Sequence, residues 1–119
     1  MAERAKPSMP KSPPELLERF EAVLTGYPDA TRKKMFGYPA AFVGGNLATS
    51  LFHDRWIVRL APDEVDAALA TGAERFEPIP GRPMAGFVAV PKADVADDSA
   101  IRHWVERGLG RAGALPPKT

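Results

Sequence analysis

Two histidines, a handful of serines and three clustered aspartates are the side chains with which this sequence could begin to do chemistry. His53 and His103 are fifty positions apart, and neither stands in a metal-protease spacing such as HExxH. His53 reads as a turn residue beside Asp54, and His103 as a solvent-facing residue of a late helix. Ser8, Ser12, Ser50 and Ser99 occur in neither GxSxG nor SxxK, so no activated hydroxyl is marked. Asp94, Asp97 and Asp98 lack the alternating oxygen ligands and distal glutamate of a calcium loop, and serve better as helix caps. The sequence has no cysteine, which removes thiolate nucleophiles, thiolate metal sites and disulfides together. No catalytic residue, metal ligand or cofactor site is therefore assigned, and the chain is expected to be non-enzymatic.

Binding residues are easier to nominate. Arg32-Lys33-Lys34 followed by Met35-Phe36 sets a basic triplet against an aromatic, a pairing that suits stacking plus phosphate contact. The competing reading is a solvated charge run leading into a buried Phe36. Arg59 lies on a strand whose other face carries Trp56, and Arg82 lies in a proline-rich connection. Lys34, Phe36, Arg59 and Arg82 are the candidates for contact with a partner or ligand. If the far side of the sheet is uncovered, Arg59 projects there with its stem over Ile57 and its guanidinium free. Gly44-Gly45-Asn46 could be mistaken for a phosphate cradle, but strand follows strand there, and a hairpin turn explains it.

The elements that must hold these residues follow from patterning. Met1 to Lys11 has no apolar periodicity and reads as a tail. Ser12 and Glu15 stand three apart, a capping-box spacing with proline at the first helical position. Leu16, Leu17, Phe20, Val23 and Leu24 then form an apolar helical stripe that Gly26 and Pro28 end. Ala40–Val43, Leu47–Phe52 and Arg55–Leu60 read as a three-stranded antiparallel meander, with Trp56, Val58 and Leu60 on one face and Arg55, Ile57 and Arg59 on the other. Pro62 opens a short helix with Val65, Ala68 and Leu69 inward. Arg75–Glu77 is a short strand, 78–83 a stiff extended connection, and Phe87–Val90 a clear late strand. Asp97 or Asp98 caps a last helix with Ile101, Trp104, Val105 and Leu109 inward, weakened at its end by Gly108, Gly110 and Gly113. One sheet with helices on one face, in two layers, is the expected packing. The domain is placed at 12–115, with 116–119 as a second tail.

With 119 residues there is one domain, and 16 Lys+Arg against 15 Asp+Glu leave a formal charge of +1. That balance disfavours a dedicated nucleic-acid binder. No apolar run reaches the roughly 18 residues of a membrane span, and the N-terminus has no secretory h-region. A cytoplasmic location is the default expectation.

Arg32-Lys33-Lys34-Met35-Phe36-Gly37, the Gly-Gly-Asn hairpin, Trp56-Ile57-Val58-Arg59-Leu60, Phe76-Glu77-Pro78, Gly81-Arg82-Pro83-Met84, Phe87–Pro91 and the helix around Trp104 together resemble the N-terminal domain of the TfoX/Sxy competence regulators. The likeness spans roughly residues 16–113. It implies an α+β fold of two layers, α-β(3)-α-β(2)-α, with an antiparallel sheet like that of secretion chaperones. It also implies a small bacterial regulatory module, and the exposed sheet face or edge, which invites pairing, is expected to bind a protein partner or a second copy of the chain as a homodimer. A domain for a small anionic ligand is the alternative. The sequence departs from the family at Tyr38-Pro39, where a further glycine is usual, and it ends before the regulators' second domain.

Overall fold

The structure, a computed structural model, describes residues 10–118. Most of the expected tail, residues 1–9, and Thr119 lie outside the described residues.

The chain folds as an open antiparallel sheet of six strands with four helices, an α+β architecture. Helix α1 (Pro14–Leu24) precedes strands β1 (Thr31–Met35), β2 (Tyr38–Val43), β3 (Asn46–Phe52) and β4 (Arg55–Arg59). Helix α2 (Pro62–Ala70), strands β5 (Glu74–Arg75) and β6 (Phe87–Ala89), and helices α3 (Lys92–Val95) and α4 (Asp98–Ala114) complete it. The sheet order is β1-β2-β3-β4-β6-β5, which leaves β1 and β5 at the edges. The meander thus has four strands, because the basic run expected to be a solvated lead-in is itself β1. Its alternation was hidden by four successive polar residues, which an edge strand tolerates because little of it is buried.

Apolar residues of three helices cover one face. Phe20, Val23 and Leu24 of α1, Val65 and Ala68 of α2, and Ile101, Trp104 and Val105 of α4 pack on Trp56, Val58 and Leu60. The Trp56 indole N–H donates to Thr49 Oγ1 at 2.9 Å, and that hydroxyl donates to the Ile57 carbonyl at 2.6 Å. A buried polar pair is thereby satisfied on both sides. Trp104 is buried as expected, its N–H on Asp94 at 2.9 Å.

The far face is not bare. Ile57, Leu47 and Ala40 pack with Phe76, Phe87 and Ala89 in a second apolar cluster. The cover comes from the segment between β5 and β6, which is a turn rather than an extended connection. Ile79 bridges Arg82 around Gly81 at φ +79°, and the Met84 amide returns to the Phe76 carbonyl at 2.8 Å. Three prolines disguised a turn as a spacer. Strand β3 is consequently buried along six of its seven residues.

A β-bulge joins the two faces. Ala41 pairs Thr49 while Phe42 pairs Leu47, so Ala48 is the extra residue. Leu47 thereby turns to the far cluster while Leu51 remains on the near one. Helix α4 crosses this point so closely that a Cβ on Gly108 would sit 2.6 Å from the Ala48 carbonyl oxygen. Gly108 is thus a packing requirement rather than only a weakness of the helix end, and α4 continues through all three glycines.

At the ends two expectations change. Ser12 does not cap α1: the N-cap is Pro13, whose side chain has no hydrogen-bonding group, and the Ser12 hydroxyl is buried one residue before it without a partner among the described residues. Nor do residues 116–118 behave as a loose tail. The Lys118 amide donates to the Gly44 carbonyl at 2.7 Å, and Asn46 Nδ2 donates to the Pro116 carbonyl at 3.0 Å. Asp97 caps α4 through the Ala100 amide, as its sequence position predicts.

Candidate functional site

Strand β1 meets β2 through a two-residue turn, Phe36-Gly37, with φ of +55° and +83°. Positive φ at both positions is the hairpin geometry that matches strand twist, normally supplied by Asn-Gly or Gly-Gly. Phenylalanine in the left-handed region is strained by about 1–2 kcal/mol. Its ring nevertheless remains 48% exposed, reaching only the edge of Phe52 with centroids 5.8 Å apart. The expectation of a buried Phe36 is overturned: the turn throws the ring outward.

Leu17 lies across from it. Expected in the core, Leu17 is 39% exposed, because it sits at the rim of the α1 stripe rather than its centre. Leu17, Lys34, Phe36, Tyr38 and Pro39 line one surface groove of ≈ 450 Å³. The Tyr38 hydroxyl donates to the Pro10 carbonyl and closes one side of it.

Beside the groove β1 is the edge of the sheet, with no further strand paired to it among the described residues. In the ladder Met35 pairs Tyr38 and Lys34 pairs Pro39. The pair flanking a two-residue hairpin turn is hydrogen-bonded, and pairs alternate from there. Lys34 therefore stands at a non-hydrogen-bonded position opposite a proline that has no N–H to offer, and its own N–H and C=O face outward. Arg32 repeats this two pairs further on, opposite Ala41. Of the basic side chains on β1, Arg32 is held by Glu21 at 2.7 Å, whose carboxyl is pushed below its ordinary range by that hydrogen bond. Lys33 lies over the Phe42 ring at 5.9 Å, and Lys34 flanks the groove.

The four sequence candidates thus divide. Lys34 and Phe36 come together at the β1 edge. Arg59 does not join them: its Nε donates to the Leu47 carbonyl at 2.6 Å and its guanidinium stacks on Phe87 at 4.5 Å. Burial, and then the charge of Arg111, push its pKa down. The free guanidinium expected on an uncovered face is instead a half-buried clamp on a covered one. Arg82 is exposed in the 79–82 turn, on the segment between β5 and β6 rather than at the β1 edge. Leu17 was missed as a site residue, and its only sequence signal was its position at the edge of a five-residue stripe. Among the described residues no group of His, Asp and Glu could hold a metal ion, and no helix is long and apolar enough to cross a membrane.

An antiparallel sheet with helices on one face, a basic edge strand and a groove beside it make up an α+β domain. The family model of the TfoX N-terminal domain matches residues 22–112, and the chain belongs to that family. Comparison with curated proteins returns no match.

Proposed function

We propose that this domain is a non-enzymatic regulatory module of the competence-regulator type that receives an acidic, extended segment of a partner protein along β1. The observation that carries this reading is the open β1 edge beside an exposed Phe36 held in the left-handed region. Strand addition supplies affinity through main-chain hydrogen bonds and selectivity through alternate side-chain pockets. Here Arg32 and Lys34 offer the outward backbone groups, and the Leu17–Phe36 groove offers the pocket. Lysines on an edge normally discourage pairing with a like strand. A second copy laid antiparallel would set basic residues against basic residues, so this edge favours an acidic partner over a homodimer. Strain kept at a half-exposed aromatic, whose ring has an edge contact with Phe52, is the kind of outlier that marks a contact.

The test uses two capped peptides of alternating valine and glutamate or valine and lysine, each with a central leucine. Binding is followed by amide chemical shifts of the full chain. The acidic peptide is expected to shift Arg32 and Lys34. Lys34→Pro deletes an outward N–H without touching the β1–β2 ladder, and should abolish binding with the melting temperature unchanged. Lys34→Ala should weaken it by roughly threefold to tenfold, the scale of one charge at a rim. Equal binding of both peptides, or preference for an oligonucleotide, overturns the reading.

A further inference from the structure

On the helical side of the sheet, a cavity of ≈ 640 Å³ lies between α1, α3 and the β3–β4 turn. Its reachable walls are apolar. Leu16 and Val95 are partly exposed there, and Ala22 and Ala96 are exposed. Trp56 and Val90 lie sealed beneath them. Arg19 spans the gap: its Nε donates to the Val95 carbonyl, and its Nη2 lies 2.8 Å from Asp98 Oδ1, an ion pair outside hydrogen-bond alignment. Two of the four reachable walls are alanines, so the space beside Arg19 is left unfilled by the chain's own side chains.

The charges on this rim do not cancel. Arg19 is taken by Asp98, Arg55 Nη1 pairs with Glu74 at 2.6 Å, and Lys92 pairs with Asp54 at 2.7 Å. Glu15 stands four residues before Arg19, the spacing of a helical ion pair, but Arg19 is drawn away to Val95 and Asp98. Glu15 and Glu18 are exposed on the lining and form no ion pair among the described residues. Each rim cation thus has its carboxylate, and two carboxylates are left over. Unmatched charge of one sign beside low-dielectric walls raises the local concentration of the opposite ion.

We propose that this cavity binds a small organic cation, an amine whose ammonium meets Glu15 and Glu18 and whose apolar body lies on Leu16, Ala22, Val95 and Ala96. A bare inorganic cation would meet the carboxylates but bury no apolar surface against the walls. An organic acid of the same shape would find the walls but face two like charges. Both glutamates are exposed, so charge sets the preference and the walls supply most of the affinity. The volume falls in the middle of the range of ligand cavities, about 300–1,000 Å³, and admits a bicyclic ring. The cavity shares no lining residue with the Leu17–Phe36 groove and does not rest on the peptide reading.

Calorimetry and amide shifts of the full chain with tryptamine and 2-phenylethylamine test it. The comparators are indole-3-propanoate, a similar body with the opposite charge, and methylammonium, the charge without the body. At least one amine should bind saturably with Kd at or below about 1 mM, shifting amides of α1 and α3, with both comparators at least tenfold weaker. Glu15→Gln combined with Glu18→Gln keeps the size of both exposed side chains and should weaken amine binding about tenfold. Ala22→Phe fills the cavity from an exposed helical position and should abolish saturable binding while the chain still folds. Lys34→Pro should leave amine binding unchanged. Either comparator binding as tightly as the amines overturns the proposal. So does the absence of saturation up to about 10 mM, or a folded Ala22→Phe or double glutamine variant that binds like the parent.

Discussion

The two ends of the sheet solve the same problem differently. At one end, β2 turns into β3 through Gly44 and Gly45, both at positive φ, where glycine carries no Cβ penalty. Asn46 is buried there against backbone carbonyls, and Pro116–Lys118 straps the turn down. At the other end the turns after β1 and β3 place Phe36 and His53 in the left-handed region instead. Both line surface concavities. The chain possesses the low-strain solution and uses it at the strapped end; at the other end it displays an aromatic ring and an imidazole instead.

The sharpest way to break this comparison is at the closed end. Gly108→Ala drives a Cβ into the Ala48 carbonyl and the Val58 side chain. Backbone cannot give as a flexible side chain does, so the loss should reach the upper part of the about 1–3 kcal/mol usual for overpacking. Gly110→Ala, with nothing within 4 Å of its added Cβ, should instead stabilise α4 by up to about 1 kcal/mol. Denaturant midpoints of the two variants measure the contrast. Equal effects would mean that α4 does not approach the bulge this closely.

At the open end the expected sign reverses. Phe36→Asn puts a residue tolerant of positive φ into the turn and gives up only an edge contact with Phe52. Stability should stay within about 1 kcal/mol of the parent, or rise, while acidic-peptide binding falls at least tenfold. A large drop in melting temperature would make Phe36 a folding residue and erase the distinction between the ends.

The smallest effect concerns Asp54 at the same end. Its hydrogen bond with Lys92 lowers its pKa from the ordinary carboxylate value. Its folded pKa lies below its unfolded one, so the contribution is present at neutral pH and is lost as pH falls through the folded value. Both partners are substantially exposed, which limits the gain to a few tenths of a kcal/mol. Lys92→Ala should remove that part of the acid dependence, read as the difference between the two stability–pH curves below the usual carboxylate range. Identical curves would show that the pair contributes nothing.

How far the sequence could be read depended on how each element is stabilised. The two main helices and strands β2 to β4 declared themselves, because burial imposes a period on side chains. Strand β1 did not, since an edge strand of Thr-Arg-Lys-Lys can be polar throughout. Helix α3 has four residues, none buried, and left no pattern. The far-face cover was unreadable for a different reason: Phe76 and Phe87 are brought to Ile57 by a turn around Gly81, a non-local pairing without local periodicity. Of the site, Lys34 and Phe36 were visible as a basic-aromatic neighbourhood. The outward throw of the Phe36 ring depends on a backbone angle that residue types alone would have assigned to glycine.

The packing of α4 also bears on how the molecule is made. The helix that covers β2, β3 and β4 is synthesised after α2, β5, β6 and α3. At about 5–20 residues per second, the near face of those strands, Trp56 and Val58 included, leaves the ribosome some seconds before its cover does. Helix α1 can shield part of it through Phe20 on Trp56, but the bulge at Ala48 has to wait for Gly108. During that interval the nascent chain exposes a half-roofed apolar sheet face, the kind of surface that promotes aggregation. A substitution at position 108 would prolong the interval as well as weaken the finished fold.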